Sequence, residues 1–220
     1  MYQCFICNNN TYNQLAHRSI CMGCVDLLKH PLNSCYQCGN ELVSNTRICG
    51  ECQRASPYFS SSHYACLYQA PVDAWVMALK FSNKLNYSRL FAELLLPQQL
   101  DIDDRYVLMP VPLHLSRLRS RGYNQAYEMA KELAKPAGRE LHNNLIRRKK
   151  TAMQAELNLK QRAQNVHNAF VLKSELKAQH IILVDDVMTT GFTLNACAKT
   201  LINAGAKDVK VLVFARKQLI

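Results

Sequence analysis

Two groups of residues in this sequence have side-chain types and spacings that suit chemistry. The first is the string Ile181–Thr193, which reads IILVDDVMTTGFT. The second is a set of eight cysteines within the first 52 residues, arranged as four C-x-x-C pairs. Adjacent acids followed by threonines suit a phosphorylated sugar, whereas paired thiolates suit a soft metal ion. The two groups therefore predict two separate kinds of site.

The string beginning at Ile181 predicts a buried strand that ends in two carboxylates and a phosphate-binding loop. Asp185 and Asp186 follow the apolar run, at the strand end where open α/β sheets bind ligands. The loop then leads into a helix, whose free N–H groups bind phosphate together with hydroxyl donors. Acids that only cap a turn, or that form a receiver-type Mg²⁺ pocket, are the alternatives. The candidate phosphate-binding residues are Val187, Met188, Thr189, Thr190, Gly191, Phe192 and Thr193.

Strand and helix patterns alternate along the chain around these residues. Period-2 and apolar runs predict strands over His63–Ala70, Tyr106–Val111, Ala169–Leu172, His180–Val184 and Val209–Ala215. Apolar residues at helical spacing predict helices over Pro71–Phe81, Tyr87–Leu96, Asn124–Lys135 and Thr193–Ala204. This alternation predicts the α/β fold class with a mainly parallel, Rossmann-like sheet.

Basic residues upstream of the string are candidates for binding further anionic groups. Arg117, Arg119 and Arg121 follow a strand that ends in prolines, and guanidinium forks match phosphate oxygens, so we predict a pyrophosphate loop here. Lys80 ends a predicted helix and is a further candidate. The run Arg147–Lys150 is either a solvated charged face or a contact for a nucleic-acid backbone.

The cysteine spacing favours two structural zinc sites. Consecutive pairing assigns the eight ligands to two sets, although spacing does not exclude interleaved pairing, and iron–sulfur binding is the weaker alternative. Four thiolates leave no open position for water, so each site should stabilise the fold. His17 is a conceivable substitute ligand. The two sets are Cys4, Cys7, Cys21 and Cys24, and Cys35, Cys38, Cys49 and Cys52.

Charge and composition separate a small module from a larger basic domain. The formal net charge is +11, but residues 1–54 hold only four Lys/Arg against three Asp/Glu. The basicity therefore belongs to the remainder of the chain and points to an anionic ligand there. We predict a cysteine-rich module over 1–54, a linker over 55–62 and the larger domain over 63–220. The first residues lack a secretory signal, and no apolar run is long enough to span a membrane, so a cytoplasmic protein is expected.

The string Ile181–Thr193 resembles the phosphoribosyl pyrophosphate (PRPP) signature of type I phosphoribosyltransferases. The resemblance implies that Asp185 and Asp186 contact the ribose hydroxyls, that the threonine loop holds the 5′-phosphate, and that Mg²⁺ accompanies PRPP. It also implies a catalytic role for Arg121, with Arg117 and Arg119 stabilising charge on the departing pyrophosphate. Phe192 departs from the small residue usual at its position, which could narrow the pocket.

Together with the cysteine pairs, these motifs resemble the ComF family, which is associated with competence and the use of imported DNA. The resemblance extends over nearly the whole chain, and its further matches are Lys80-Phe81, Val111-Pro112-Leu113, Arg121–Gln125, Thr151, Gln154, Arg162, Asn165 and Phe170. It implies a phosphoribosyltransferase domain that takes PRPP or a nucleotide. Alternatives are a factor that binds single-stranded DNA, through Arg147–Lys150, Arg162 and Tyr123, and an adaptor whose zinc module docks a competence helicase or channel protein.

Overall fold

The computed structural model describes residues 2–11, 19–43, 45–99, 102–148 and 169–218. Within them, the chain forms seven helices, a single turn of 3₁₀ helix at Pro97–Gln99, and eight strands. The helices are α1 Met22–Val25, α2 Gly50–Arg54, α3 Val72–Phe81, α4 Asn86–Leu95, α5 Leu115–Arg121, α6 Gln125–Ala134 and α7 Phe192–Asn203. The strands are β1 Tyr2–Gln3, β2 Asn10–Thr11, β3 Ser61–Leu67, β4 Val107–Pro110, β5 Leu145–Arg147, β6 Phe170–Leu172, β7 His180–Met188 and β8 Asp208–Arg216.

Four strands form a parallel sheet in the order β3-β8-β7-β4. The predicted α/β class with a mainly parallel sheet is therefore confirmed. Strand β6 is not part of this sheet; it pairs antiparallel with β5 in a separate two-stranded ribbon. The sequence pattern marks β6 as a strand but contains no information about its partner, because strand pairing depends on distant residues.

Strand β7 runs four residues further than the sequence pattern predicts. Its parallel pairing with β8 continues through Asp185, opposite Val213, and Val187, opposite Ala215, to Met188. The predicted end at Val184 was wrong because two acids in sequence suggest a turn, whereas pairing with β8 keeps the backbone extended. The two carboxylates therefore belong to a strand held by backbone hydrogen bonds.

Alternate residues of the central strands supply two cores on opposite faces of the sheet. Ile182 and Val184 pack with helices α3, α4 and α6, whereas Ile181 and Leu183 pack with α7 and the β5–β6 ribbon. This alternation is the period of two that a strand buried on both faces requires. The strands whose ends carry the site are therefore packed against other elements on both faces of the sheet.

Helix α5 was not predicted. The three arginines lie in the predicted pyrophosphate loop, but Leu115–Arg121 is helical. His114 caps its start, since its Nδ1 accepts a hydrogen bond from the Ser116 N–H at 3.1 Å. Gly122 ends it in the left-handed conformation with φ of +85°. None of the residues of this helix is fully buried, so its hydrophobic pattern is too weak to predict a helix.

The cysteine-rich segment covers the outer edge of β3. The Ser62 N–H donates to the Tyr36 carbonyl at 3.2 Å, and the Leu67 N–H donates to the Lys29 carbonyl at 2.8 Å. These bonds use donors that an edge strand would otherwise expose to other chains. The segment before the strand is also packed, because Phe59 is buried and Ser61, within the predicted linker, already begins β3.

No helix within the described parts of the chain has both the length and the apolar character needed to cross a membrane.

Candidate functional site

A cavity of about 690 Å³ lies at the carboxyl ends of the parallel strands. It brings together the acid pair, the threonine loop, the end of α3, helix α5 and the β5–β6 ribbon. Five cationic side chains line it, against two carboxylates, so its charge suits an anionic ligand. The cations are Lys80, Arg117, Arg121, Arg147 and Lys217.

The two adjacent carboxylates of the cavity have different surroundings. Asp186 is buried, and its Oδ2 lies 2.7 Å from the Lys80 Nζ at the end of α3. Asp185 is half-buried and accepts a hydrogen bond from the Asp186 N–H at 2.9 Å. Lys80 was a candidate phosphate-binding residue, and its position next to Asp186 indicates that it also neutralises a buried acid.

Burial raises the pKa of Asp185 well above the usual value of a carboxyl, and the neighbouring Asp186 carboxylate raises it further. The charge of Lys80 acts in the opposite direction but does not cancel these effects. A bound sugar hydroxyl or cation would stabilise the ionised form by replacing lost solvation. This corner of the cavity is therefore suited to a ligand with hydrogen-bond donors.

The loop after β7 is short and turns through a left-handed glycine. Gly191 has φ of +77° and precedes the first residue of α7, Phe192. A Cβ at this glycine would lie 2.8 Å from the Met188 Cε, so backbone freedom and space both favour glycine. Helix α7 therefore begins directly above the acids, with the N–H groups of its first turn at the cavity.

Most of the predicted loop residues line the cavity. Thr190 is the exception: its Oγ1 is buried and makes no hydrogen bond within the described residues, and the residue is not part of the cavity wall. The loop residues that do line the cavity are Val187, Met188, Thr189, Gly191, Phe192 and Thr193.

The three arginines of α5 do not act as one group. Arg117 and Arg121 are four residues apart, so they share one face of the helix and line the cavity. Arg119 projects from another face, is exposed, and lies outside the cavity wall. The Arg121 guanidinium is held by the Gln125 Oε1 and lies over the Phe81 ring, 5.3 Å from its centre. Its burial lowers the pKa of Arg121 from the ordinary arginine value.

Arg147 lines the cavity, whereas the sequence pattern predicts either a solvated charged face or a nucleic-acid contact for it. Its side chain is buried on β5 and lies over the Phe170 ring, 5.4 Å from the ring centre. Burial lowers the pKa of Arg147, and the nearby Arg117 lowers it further. The available signal was the alternation Leu145-Ile146-Arg147, which places Arg147 on the same face of the strand as buried Leu145.

Lys217 also lines the cavity and was not predicted, since it follows β8 in a segment without a motif. Tyr123, predicted as part of a path for single-stranded DNA, lines the cavity but is 8% exposed. Its hydroxyl donates to the Leu79 carbonyl and is therefore engaged within the protein. His17 and residues 149–168, which include Lys149, Thr151, Gln154, Arg162 and Asn165, lie outside the described residues.

The eight cysteines form two clusters by consecutive pairing, as predicted. In each cluster the four sulfur atoms lie within 4.8 Å of one another. Tetrahedral Zn²⁺ with Zn–S bonds of about 2.3 Å separates its sulfur ligands by about 3.8 Å. The Cys4–Cys24 sulfur distance is 3.8 Å, and those of Cys7–Cys21 and Cys38–Cys49 are 3.6 Å. The donor set and its spacing therefore fit zinc at both clusters.

Backbone N–H groups point at one sulfur in each cluster. The Cys21 N–H lies 3.4 Å from the Cys4 sulfur, and the Cys49 N–H lies 3.3 Å from the Cys35 sulfur. Burial opposes ionisation of these thiols, but the backbone donors outweigh it and lower the pKa of Cys4 to about 6 and that of Cys35 to about 7. Cys4 and Cys35 are therefore the thiols of each cluster that ionise most readily, and thiolate is the form that binds metal.

Comparisons with known proteins find a family model for the larger domain and relatives that cover most of the chain. Residues 118–218 match the family model "Phosphoribosyl transferase domain". Competence protein F of Haemophilus influenzae is 33% identical over 98% of this chain and 97% of its own length. DNA utilization protein YhgH of Salmonella typhimurium is 31% identical over 92% of each chain. Competence protein ComFC of Streptococcus pneumoniae is 30% identical over 70% of this chain and 68% of its own length.

Proposed function

The chain belongs to the ComF family of competence and DNA utilization proteins, and from this premise we propose that its cavity binds PRPP or a nucleotide by the ribose 5-phosphate group. In this proposal Asp185 and Asp186 hold the ribose hydroxyls. The N–H groups and hydroxyls between Val187 and Thr193 hold the 5′-phosphate. The protein would then transfer the ribose 5-phosphate group between pyrophosphate and an acceptor, in the cytoplasm.

The observation that carries this proposal is the meeting of the acid pair and the phosphate loop in one cavity. The acids lie near the end of β7 and the loop leads into α7, and both line the same cavity. Neither a capped turn nor a surface acid pair would require a left-handed glycine next to a helix N-terminus. A sugar phosphate uses every one of these features.

Arg117 and Arg121 have the position and charge to stabilise a departing pyrophosphate. In pentosyl transfer the sugar carbon gains positive charge while the leaving group gains negative charge. Guanidinium groups fixed beside the cavity stabilise that growing charge without reorganising, because Arg121 is already held by Gln125 and Phe81. Arg147 faces the same space from the ribbon and would contribute to binding the anionic part of the ligand.

Metal ions enter the proposal in two ways. Zn²⁺ at the two cysteine clusters would stabilise the segment 1–54, which we propose as a module distinct from the larger domain. Mg²⁺ fits the oxygen donors of Asp185 and Asp186 and would neutralise charge on the pyrophosphate.

Calorimetric titration with PRPP and Mg²⁺ tests the proposal directly. Wild type should bind, and Asp185→Asn/Asp186→Asn should lose binding while retaining its fold and zinc content. Asp103→Asn/Asp104→Asn is a matched control, because it neutralises a second adjacent acid pair in an exposed turn. If wild type loaded with zinc does not bind, or if both double variants lose binding equally, the proposal is wrong.

A second candidate is binding of single-stranded DNA, since one group of relatives carries the name DNA utilization protein. The excess positive charge of the cavity also supports it, since a phosphate backbone binds arginine and lysine with strong salt dependence. Fluorescence anisotropy with a labelled oligonucleotide, over a range of salt concentrations, measures the affinity for single-stranded DNA and its salt dependence. Competition separates the two functions. Displacement of the oligonucleotide by PRPP indicates that both bind in the cavity, and simultaneous binding of both indicates a second surface for DNA.

A further inference from the structure

Arg216 is a fully buried cation that the proposed chemistry does not use. It is the last residue of β8 and is 1% exposed. Burying a guanidinium is costly unless hydrogen-bond acceptors surround it. Its acceptors therefore indicate what the residue holds together.

The guanidinium of Arg216 contacts two separate parts of the chain. On one side, its Nε donates to the Cys38 carbonyl at 2.7 Å and its Nη2 donates to the Asn40 Oδ1 at 2.5 Å. On the other side, its Nη1 donates to the Met188 carbonyl at 3.1 Å and to the Thr189 carbonyl. One side chain thus joins the second cysteine cluster to the start of the phosphate loop.

The turn between Cys38 and Asn40 is fixed in its position. Gly39 has φ of +69°, and a Cβ there would lie 2.8 Å from the Tyr64 ring. Gln218 adds two further bonds, since its Nε2 donates to the Gly39 carbonyl at 3.3 Å and its Oε1 accepts from the Glu41 N–H at 2.7 Å. A turn packed this closely transmits a change in its own fold to Arg216.

The first cluster packs elsewhere in the molecule. The Ser19 hydroxyl donates to the Glu93 carboxylate of α4 at 2.8 Å, and the Phe5 ring meets the Tyr87 ring edge-on at 4.8 Å. Both partners belong to α4, on the face of the sheet opposite to α7. The two clusters therefore support different parts of the larger domain.

From these contacts we propose that Arg216 is a positioning residue, through which the second cysteine cluster orders the phosphate loop at Met188 and Thr189. If the turn at Cys38 opens, the guanidinium loses two acceptors on that side. A buried cation with unsatisfied donors moves toward water, and its bonds to the loop carbonyls break with it. The first cluster has no such connection among the contacts described, so the two metal sites have different roles. The proposed function matters here only for the choice of ligand; the ordering of the loop does not depend on it.

Hydrogen exchange measured on the full-length, zinc-loaded protein tests this inference. Cys49→Ser weakens the second cluster, and Cys7→Ser is the matched control because it removes one ligand of the first. We expect amide exchange over residues 188–193 to rise at least tenfold in Cys49→Ser and to stay within twofold of wild type in Cys7→Ser. Arg216→Lys keeps the positive charge but lacks the planar guanidinium, whose N–H donors reach both sides. It should therefore raise amide exchange in the same residues.

Two outcomes would overturn the inference: equal exchange at 188–193 in both cysteine variants, or wild-type exchange there in Arg216→Lys. If Cys49→Ser unfolds altogether, Asn40→Ala replaces it, since it removes one acceptor of Arg216 and leaves every cysteine in place. Titration with ribose 5-phosphate, run in parallel, should show at least tenfold weaker binding in Arg216→Lys than in wild type. Failure of wild type to bind ribose 5-phosphate contradicts the proposed function, whereas the exchange data decide the inference independently.

Discussion

Adjacent carboxylates at Asp185 and Asp186 illustrate how neighbouring residues acquire different properties. Asp186 is buried and has the Lys80 ammonium beside it, whereas Asp185 has an elevated pKa because of burial and its acidic neighbour. An ionised Asp185 is therefore unfavourable in the folded protein without ligand. An acid whose ionisation destabilises the folded protein is typical of a binding site, where residues that recognise a ligand often lower the free energy of unfolding.

We expect Asp185→Asn to stabilise the protein at pH 7 by about 1 kcal/mol. The folded-state pKa of Asp185 is raised, so the folded state holds the proton more tightly than the unfolded state. The destabilisation by the ionised carboxyl is complete above the folded-state pKa and vanishes below the unfolded-state pKa. The gain from the substitution should therefore disappear in acid. Urea unfolding of wild type and Asp185→Asn at pH 7 and near pH 3 measures the difference in their free energies of unfolding. A difference that is the same at both pH values would contradict a raised pKa of Asp185.

Lys80→Met should destabilise the protein by roughly 1–3 kcal/mol, because it leaves the buried Asp186 carboxylate without its cation. Adding Asp186→Asn should recover part of the loss, which a double-mutant cycle in urea measures. Arg89→Met is the control: Arg89 pairs with Glu93 at 3.5 Å on the surface, where ion pairs contribute less than about 1 kcal/mol. Equal effects of Lys80→Met and Arg89→Met would contradict the importance of burial.

Helix α5 shows how an element selects among residues that look equivalent in the sequence. Arg117, Arg119 and Arg121 alternate, which in a strand would place them on one side. In a helix, residues four apart share a face, so Arg117 and Arg121 line the cavity and Arg119 does not. The secondary structure therefore decides which arginines are available to the ligand.

Arg117→Gln and Arg121→Gln should each weaken binding of PRPP with Mg²⁺ by about 10- to 100-fold, the effect of losing a hydrogen bond to a charged group. Arg119→Gln removes the same charge from an exposed position and should change affinity by less than about threefold. Calorimetry at one fixed salt concentration compares the three variants. A loss in Arg119→Gln as large as in the other two would indicate a general electrostatic effect.

Across the whole molecule, the cysteine-rich segment acts as a support for the sheet. It bonds along the edge of β3 and contributes to the cores on both faces: Cys4 and Cys24 are buried in one, and Cys38 packs against the other. Each metal site should consequently stabilise more than its own loop. Loss of metal should also expose a strand edge that favours pairing with other chains.

Purified protein should contain two Zn²⁺ ions per chain, and their removal by a strong chelator should lower Tm and promote aggregation. Metal binding to the folded state alone contributes its binding free energy to folding, so the effect should be large and should reverse when zinc is restored. Zinc release assayed with a chromogenic chelator, followed by thermal unfolding and light scattering, measures all three changes. Unchanged Tm after complete removal would contradict a structural role.

Features whose geometry lies within short segments could be predicted from the sequence. The spacing of the C-x-x-C pairs favoured two consecutive sets of four thiolates, because each knuckle is a local turn, but it left interleaved pairing open, and the structure decided between them. The order of strand, acids, glycine and helix start could also be predicted from this short segment, although the extension of β7 through the acids depends on its pairing with β8. The fold class followed from the alternation of such segments.

The distant residues that meet at the cavity could not be predicted, because the folded sheet brings them together. Arg147 reaches it because β5 pairs with β6, and Lys217 because β8 lies next to β7. Arg216 joins Cys38 to Met188 across 150 residues of chain for the same reason. These contacts depend on strand order and on packing between separate elements. Neither is encoded in the residues next to each side chain, since register and partner choice emerge only when the whole sheet assembles.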